Sequence, residues 1–272
     1  MEFNVNEITK LRIRSSAFNL RLIEKNNIEN IVCKLKNIDK ELVKISQLEN
    51  TLIVSMTEKG SMIRTIWNSN SERSIRIYVP KKKVFKSVKI SAGVGTTYLK
   101  NIKTEKLNIS CGVGSCRLLN VTSSKKTKFS SGVGKVQGKA CTFNNTKLSG
   151  GVGLIQISGK LTGKTLVSGG IGKIDLVLKA KKDDYSIHAS NSFFENIFVD
   201  GVSVKGYKSE KTDAKNSLRL SGGVGSIFVN FRDRKNNCQN DKESKECKKE
   251  KKCKDANEKI KNDACCEEEA CC

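Results

Sequence analysis

Apolar and polar residues alternate in short runs along most of this chain, as in KLRIRS (10–15), RSIRIYVP (73–80) and LRLS (218–221). Alternation with a period of two marks strands that bury one face. From residue 90 onward it is tied to a recurring triplet, GVG at 93–95, 112–114, 132–134, 151–153 and 223–225, and GIG at 170–172. Successive first glycines lie 19, 20, 19, 19 and 53 residues apart. A period near 20 residues predicts a solenoid in which each repeat is one coil stacked on the last.

Offsets from the first glycine describe the coil. Three residues before it stand Ile90, Ile109, Phe129, Leu148, Val167 and Leu220, and one before it stand the small Ala92, Cys111, Ser131, Gly150, Gly169 and Gly222. Beyond the triplet the apolar positions move to offset four (Cys116, Val136, Ile155, Ile174, Ile227) and offset six (Leu99, Leu118, Ile157, Leu176, Val229). A strand changes its inward face only through a bend or an extra residue, and glycine supplies the positive φ that such a bend uses. The triplet therefore predicts a repeated corner. Counting by odd offsets, its central Val or Ile is expected to point inward.

The fold class expected is all-β, a single-stranded β-solenoid with coils of 19–20 residues, followed by a disordered tail. Residues 1–231 form the solenoid domain, with irregular N-terminal strands or a cap at 1–86 and regular GVG coils at 87–180. Residues 181–231 hold two irregular coils and the final GVG coil. The tail, 232–272, has almost no aliphatic residues and dense charge of both signs, a composition that cannot build a core.

Several strands, then RIYVP, a basic stretch, serial GVG coils and the closing LRLSGGVGSIFVNF resemble a bacterial β-strand-repeat family of candidate adhesins, a domain of unknown function. The resemblance spans about residues 8–231. It implies a β-solenoid and a non-enzymatic role with a possible place at the envelope, and it carries no catalytic residues over.

Little in the chain points to catalysis. GVGKVQG lacks the spacing of a phosphate loop, and no amphipathic helix pattern follows any triplet. The corners lack the Asp of calcium-binding nonapeptide repeats. A single histidine, His188, excludes multi-histidine metal sites within one chain. Asp183 and Asp184 are adjacent, so on a strand they face opposite sides. Cys111, Cys116 and Cys141 fall on core offsets, where cysteine packs as a small hydrophobe. In NSFFENIF only one of Phe193 and Phe194 can be buried on a given face. No catalytic residue and no cofactor are expected.

Charge carries the functional expectation. The chain has 51 Lys and Arg against 28 Asp and Glu; the tail accounts for 12 and 11 of these, so the body holds nearly all the excess. No acidic residue lies between Glu105 and Asp175, whereas Lys106, Arg117, Lys125, Lys126, Lys128, Lys135, Lys139, Lys147, Lys160, Lys164 and Lys173 do. Stacked coils would gather these into a basic wall for a polyanionic partner: anionic lipid, a cell-wall polyanion or nucleic acid. Another envelope protein is a further partner class. In the tail, Cys238, Cys247, Cys253, Cys265, Cys266, Cys271 and Cys272 offer soft-metal or thiol chemistry without a CxxC pair. The leading expectation is a non-enzymatic binding or scaffolding module, and the alternative is a thiol- or metal-responsive protein acting through the tail. Without a leader or a spanning apolar run, the cytoplasm is the expected compartment, with the envelope periphery as the other option.

Overall fold

A computed structural model of the chain describes residues 1–15, 18–56, 73–190, 195–204, 206–208 and 214–232. The expectations for the tail, for its seven cysteines and for Phe193 and Phe194 lie outside the described residues. Among the described residues the regular structure is strand, apart from two short 3-10 turns at Lys40–Leu42 and Lys182–Asp184. Met1–Phe231 forms one compact unit.

The coils stack as parallel strands in register. Val84–Lys100 pairs with Lys103–Leu119, which pairs with Thr122–Asn144. Thr146–Ser149 and Val152–Thr162 follow, then Lys164–Ser168 and Ile171–Leu178. Each triplet pairs with the next, Val94 with Val113, Val113 with Val133, Val133 with Val152 and Val152 with Ile171. The one 20-residue coil takes up its extra residue between Ser123 and Lys126, away from the triplet, so the corners keep their alignment. Asn101 and Asn120 make a second turn at positive φ, 58° and 52°, and Asn120 Nδ2 donates to Asn101 Oδ1 at 3.0 Å. Asparagine tolerates this left-handed conformation better than most residues.

Both ends of the stack depart from chain order. The final triplet coil, Asn216–Ser221 and Val224–Phe231, seats directly on the Gly170 coil, with Ile171 opposite Val224. The preceding segment, Tyr185–Ala189 and Glu195–Val199, lies outside it. The two irregular coils expected between residues 181 and 221 are thus one outer coil, which leaves the last triplet to seat on the Gly170 coil. At the other end Lys10–Ser15 and Asn19–Lys25 lie between the Val84–Lys100 coil and the strands Thr51–Met56 and Ser74–Pro80. Ile31–Lys36 and Val43–Leu48 then close that end as antiparallel partners. The corner of the Lys10–Lys25 coil has no glycine and is tied by side chains. Ser15 Oγ donates to Phe18 O at 2.9 Å, and Asn19 Oδ1 accepts from Thr96 N at 2.8 Å.

The apolar residues expected at offsets −3, +4 and +6 are buried throughout the regular coils. The central residue of the triplet is not. Val94, Val113, Val133, Val152, Ile171 and Val224 are 47 to 58% exposed, which corrects the inward assignment. The central residue therefore points outward, and the second glycine, at offset +2, lays its bare α-carbon against the coil beneath. A β-carbon on Gly114, Gly134, Gly153, Gly172 or Gly225 would collide with the glycine carbonyl oxygen of the coil beneath. These glycines also adopt φ between +133° and +152°, a conformation costly for any other residue.

Gly134→Ala is therefore expected to lower stability by about 3 kcal/mol, combining backbone strain with overpacking. Val133→Thr, one residue away on the exposed side, should stay within about 0.5 kcal/mol of the parent. Urea denaturation of the two variants checks the outward assignment. Equal losses would contradict it.

Candidate polyanion interface

The strand before each corner presents offsets −6, −4 and −2 to solvent, and parallel register turns each offset into a column. At −4 the column reads Arg12, Lys89, Asn108, Lys128, Lys147, Leu166, Arg219 and His188. At −2 it reads Arg14, Ser91, Ser110, Ser130, Ser149, Ser168 and Ser221. At −6 Lys10 aligns with Ser87, Lys106 and Lys126, and Lys164 aligns with Ser217. None of these positions carries a carboxylate. Columns repeat about every 4.8 Å along the stack, and neighbouring columns stand roughly 6.6 Å apart. The result is a flat lattice of cations and hydroxyls fixed by the backbone ladder rather than by loops.

The eleven basic residues singled out in the sequence divide among several surfaces. Lys106, Lys126, Lys128, Lys147 and Lys164 share this first face, all of them exposed. Lys125 sits in the register shift between Ser123 and Lys126 and binds Glu105 at 2.9 Å, and this bond with Lys125 holds the Glu105 carboxyl below its usual range. Lys135 and Lys173 follow the corner on the second face, where Lys173 Nζ lies 4.4 Å from the centre of the Phe228 ring. Arg117 belongs to another column of that face, with Arg76, Arg21 and Tyr98. A groove of about 530 Å³ opens there between Asn19, Arg21, Thr96, Tyr98 and Arg117. Lys139 lies beside the second turn, opposite Leu119, and Lys160 is on the remaining side, opposite Thr142. The wall expected to be single is therefore several surfaces, of which the first face is the most regular.

Sequence reasoning missed the basic residues that extend the first face beyond the acid-free stretch: Lys10, Arg12, Arg14, Lys89 and Arg219. Two of them could have been found by offset, since Lys89 and Arg219 both stand four residues before a triplet. Lys10, Arg12 and Arg14 precede a corner without glycine, so no triplet marks their register.

The thiols of the described residues sit inside the stack. Cys33, Cys116 and Cys141 are buried, and Cys111 is half-buried against the core. Burial pushes the Cys33 and Cys141 thiols up to about 11. A hydrogen bond between Cys111 and Cys116 lowers the first and, with burial, raises the second. Among the described residues no group of three or more His, Cys, Asp or Glu side chains could hold a metal ion. A small, partly open pocket beside the glycine corners of residues 150–172 and 222–225 measures about 20 Å³, room for one water.

The chain belongs to the Toastrack DUF4097 family, whose model matches residues 8–261. A candidate cell adhesion protein of Clostridium sporogenes is similar in structure, with 18% identity, a TM-score of 0.42, and coverage of 85% of this chain and 97% of its own. A candidate adhesin of Bacteroides fragilis is similar at 13% identity and a TM-score of 0.46, covering 85% of this chain and 95% of its own. No curated protein matches.

Core burial makes a prediction about the thiols. At pH 7.5, a unit or more below their raised values, Cys33, Cys116 and Cys141 should resist N-ethylmaleimide in the folded chain and react fully in denaturant. Peptide mass mapping reads each site separately. Rapid native labelling of Cys116 or Cys141 would contradict their placement in the core.

Proposed function

We propose that this protein is a non-enzymatic, adhesin-like binding module whose first coil face holds an extended polyanion. The observation that supports the reading most is the set of in-register columns rich in Lys, Arg and Ser, broken at −4 by Asn108 and Leu166 and without a carboxylate, carried from Arg12 to Arg219. A repeat of about 4.8 Å along the columns gives a linear polymer of negative charge many equivalent contacts and no unique one. Each exposed lysine contributes little alone, but contacts made together on one rigid surface multiply in affinity. Lysine offers a point charge without the fixed fork of arginine, so discrimination among phosphate and carboxylate polymers is weak. Cell-wall polyanions, nucleic acid and anionic lipid head groups all present the required chemistry.

Counterion release gives the reading its test, because a polyanion held by several lysines dissociates steeply as salt rises. Binding of inorganic polyphosphate should weaken at least about tenfold between roughly 50 and 200 mM salt. Joint reversal of Lys126, Lys128 and Lys147 to Glu should cost a further tenfold or more at low salt. Joint reversal of Lys100, Lys139 and Lys160, an equal change in net charge away from the first face, should cost less than about threefold. Titration by fluorescence anisotropy measures all three. Equal losses from the two triple variants would mean that net charge alone attracts the polymer and that the face has no special part.

A further inference from the structure

The outward residues of the triplets form one continuous feature. Val94, Val113, Val133, Val152, Ile171 and Val224 pair in register along six successive coils, each about half exposed. Five steps of about 4.8 Å make a ridge about 24 Å long. Every residue of the ridge stands between two glycines, so no neighbouring side chain in its own coil shields it. Leu154, half-buried and paired with Lys135 and Lys173, widens the apolar strip near its middle. A run of this size reaches the few hundred Å² at which an exposed apolar patch marks an interaction site.

We infer that this ridge docks shallowly into the surface of an anionic phospholipid bilayer. The inference rests on the polyanion reading above and selects one source of the anionic groups. Charge complementarity selects the occupant. On one side of the ridge stand the serine column and then Lys89, Lys128, Lys147 and Arg219; on the other stand Lys135 and Lys173. A second copy laid ridge to ridge would bring two such sets of cations together. A soluble polyanion would satisfy the lysines and leave the valines in water. An anionic bilayer meets both needs, because its acyl boundary receives the methyl groups while the long lysine stems reach the head groups. An apolar strip combined with basic flanks is the pairing that gives stable peripheral attachment where either alone is weak.

The test compares vesicles of phosphatidylglycerol and phosphatidylcholine with vesicles of phosphatidylcholine alone, and inorganic polyphosphate with both. The joint variant Val113→Ser, Val133→Ser, Val152→Ser should bind the anionic vesicles at least tenfold more weakly than the parent while keeping polyphosphate affinity within twofold. The separate variant Val133→Trp should gain a blue-shifted emission over the parent with anionic vesicles and none with polyphosphate. It decides the matter even if the serine variant folds poorly in a thermal melt. Unchanged vesicle affinity of a folded serine variant, or no blue shift, overturns the lipid inference and leaves the polyanion reading standing. Loss of a concentration-dependent dimer in the serine variant, without loss of vesicle binding, overturns it in favour of a second copy. A parent that binds neither polyphosphate nor vesicles overturns both.

Discussion

A carbonyl oxygen at each corner occupies the place where the next coil would carry a β-carbon, and the rest of the molecule follows from that contact. Glycine is required there on two counts, the positive φ of the bend and the bare α-carbon facing the coil beneath. Once two corners are seated, the register of everything between them is set. Apolar residues at fixed offsets meet inside, and the outward offsets become straight columns. No single coil has a closed core of its own, so stability belongs to the stack.

The same constraint explains why the stack abandons chain order near its end. The segment 185–199 has no glycine triplet, whereas residues 223–225 do, and Gly225 lies against Gly172 as each triplet lies against the one before. The outer coil then meets the last triplet from the other side, Glu195 opposite Gly225. At the N-terminal end Ser15 and Asn19 replace the glycine contact with hydrogen bonds, which lets the coil of residues 10–25 seat on the first triplet.

The architecture was legible because its signals are local and repeated. A period of 19–20 residues, small residues before each corner and aliphatic residues at −3, +4 and +6 leave few alternatives to a solenoid. The direction of the central valine was not legible. A β-branched residue suits a buried and an exposed strand position equally well, and parity decides only if the residue at which the face changes is known. The change falls before the central residue, whereas the apolar offsets alone place it beyond the second glycine. Coil order was hidden for a different reason, since an interval of 53 residues says nothing about which coil lies between which. For the basic surface, the acid-free stretch showed that a cationic region exists. Only the register of Lys10, Arg12 and Lys89 with the later coils showed which residues share it, and it moved Arg117, Lys125, Lys135, Lys139, Lys160 and Lys173 elsewhere.

Seating of the last triplet directly on the Gly170 coil has one direct measure, the distance between the first and last triplets. Spin labels on non-cysteine residues at positions 94 and 224, read by pulsed dipolar spectroscopy, should report a backbone separation of about 24 Å, five steps of the stack. A chain stacked in sequence order would place the outer coil of residues 185–199 between them and give about 29 Å. The shorter distance supports the glycine-on-glycine contact as the organising interaction, and the longer one would contradict it.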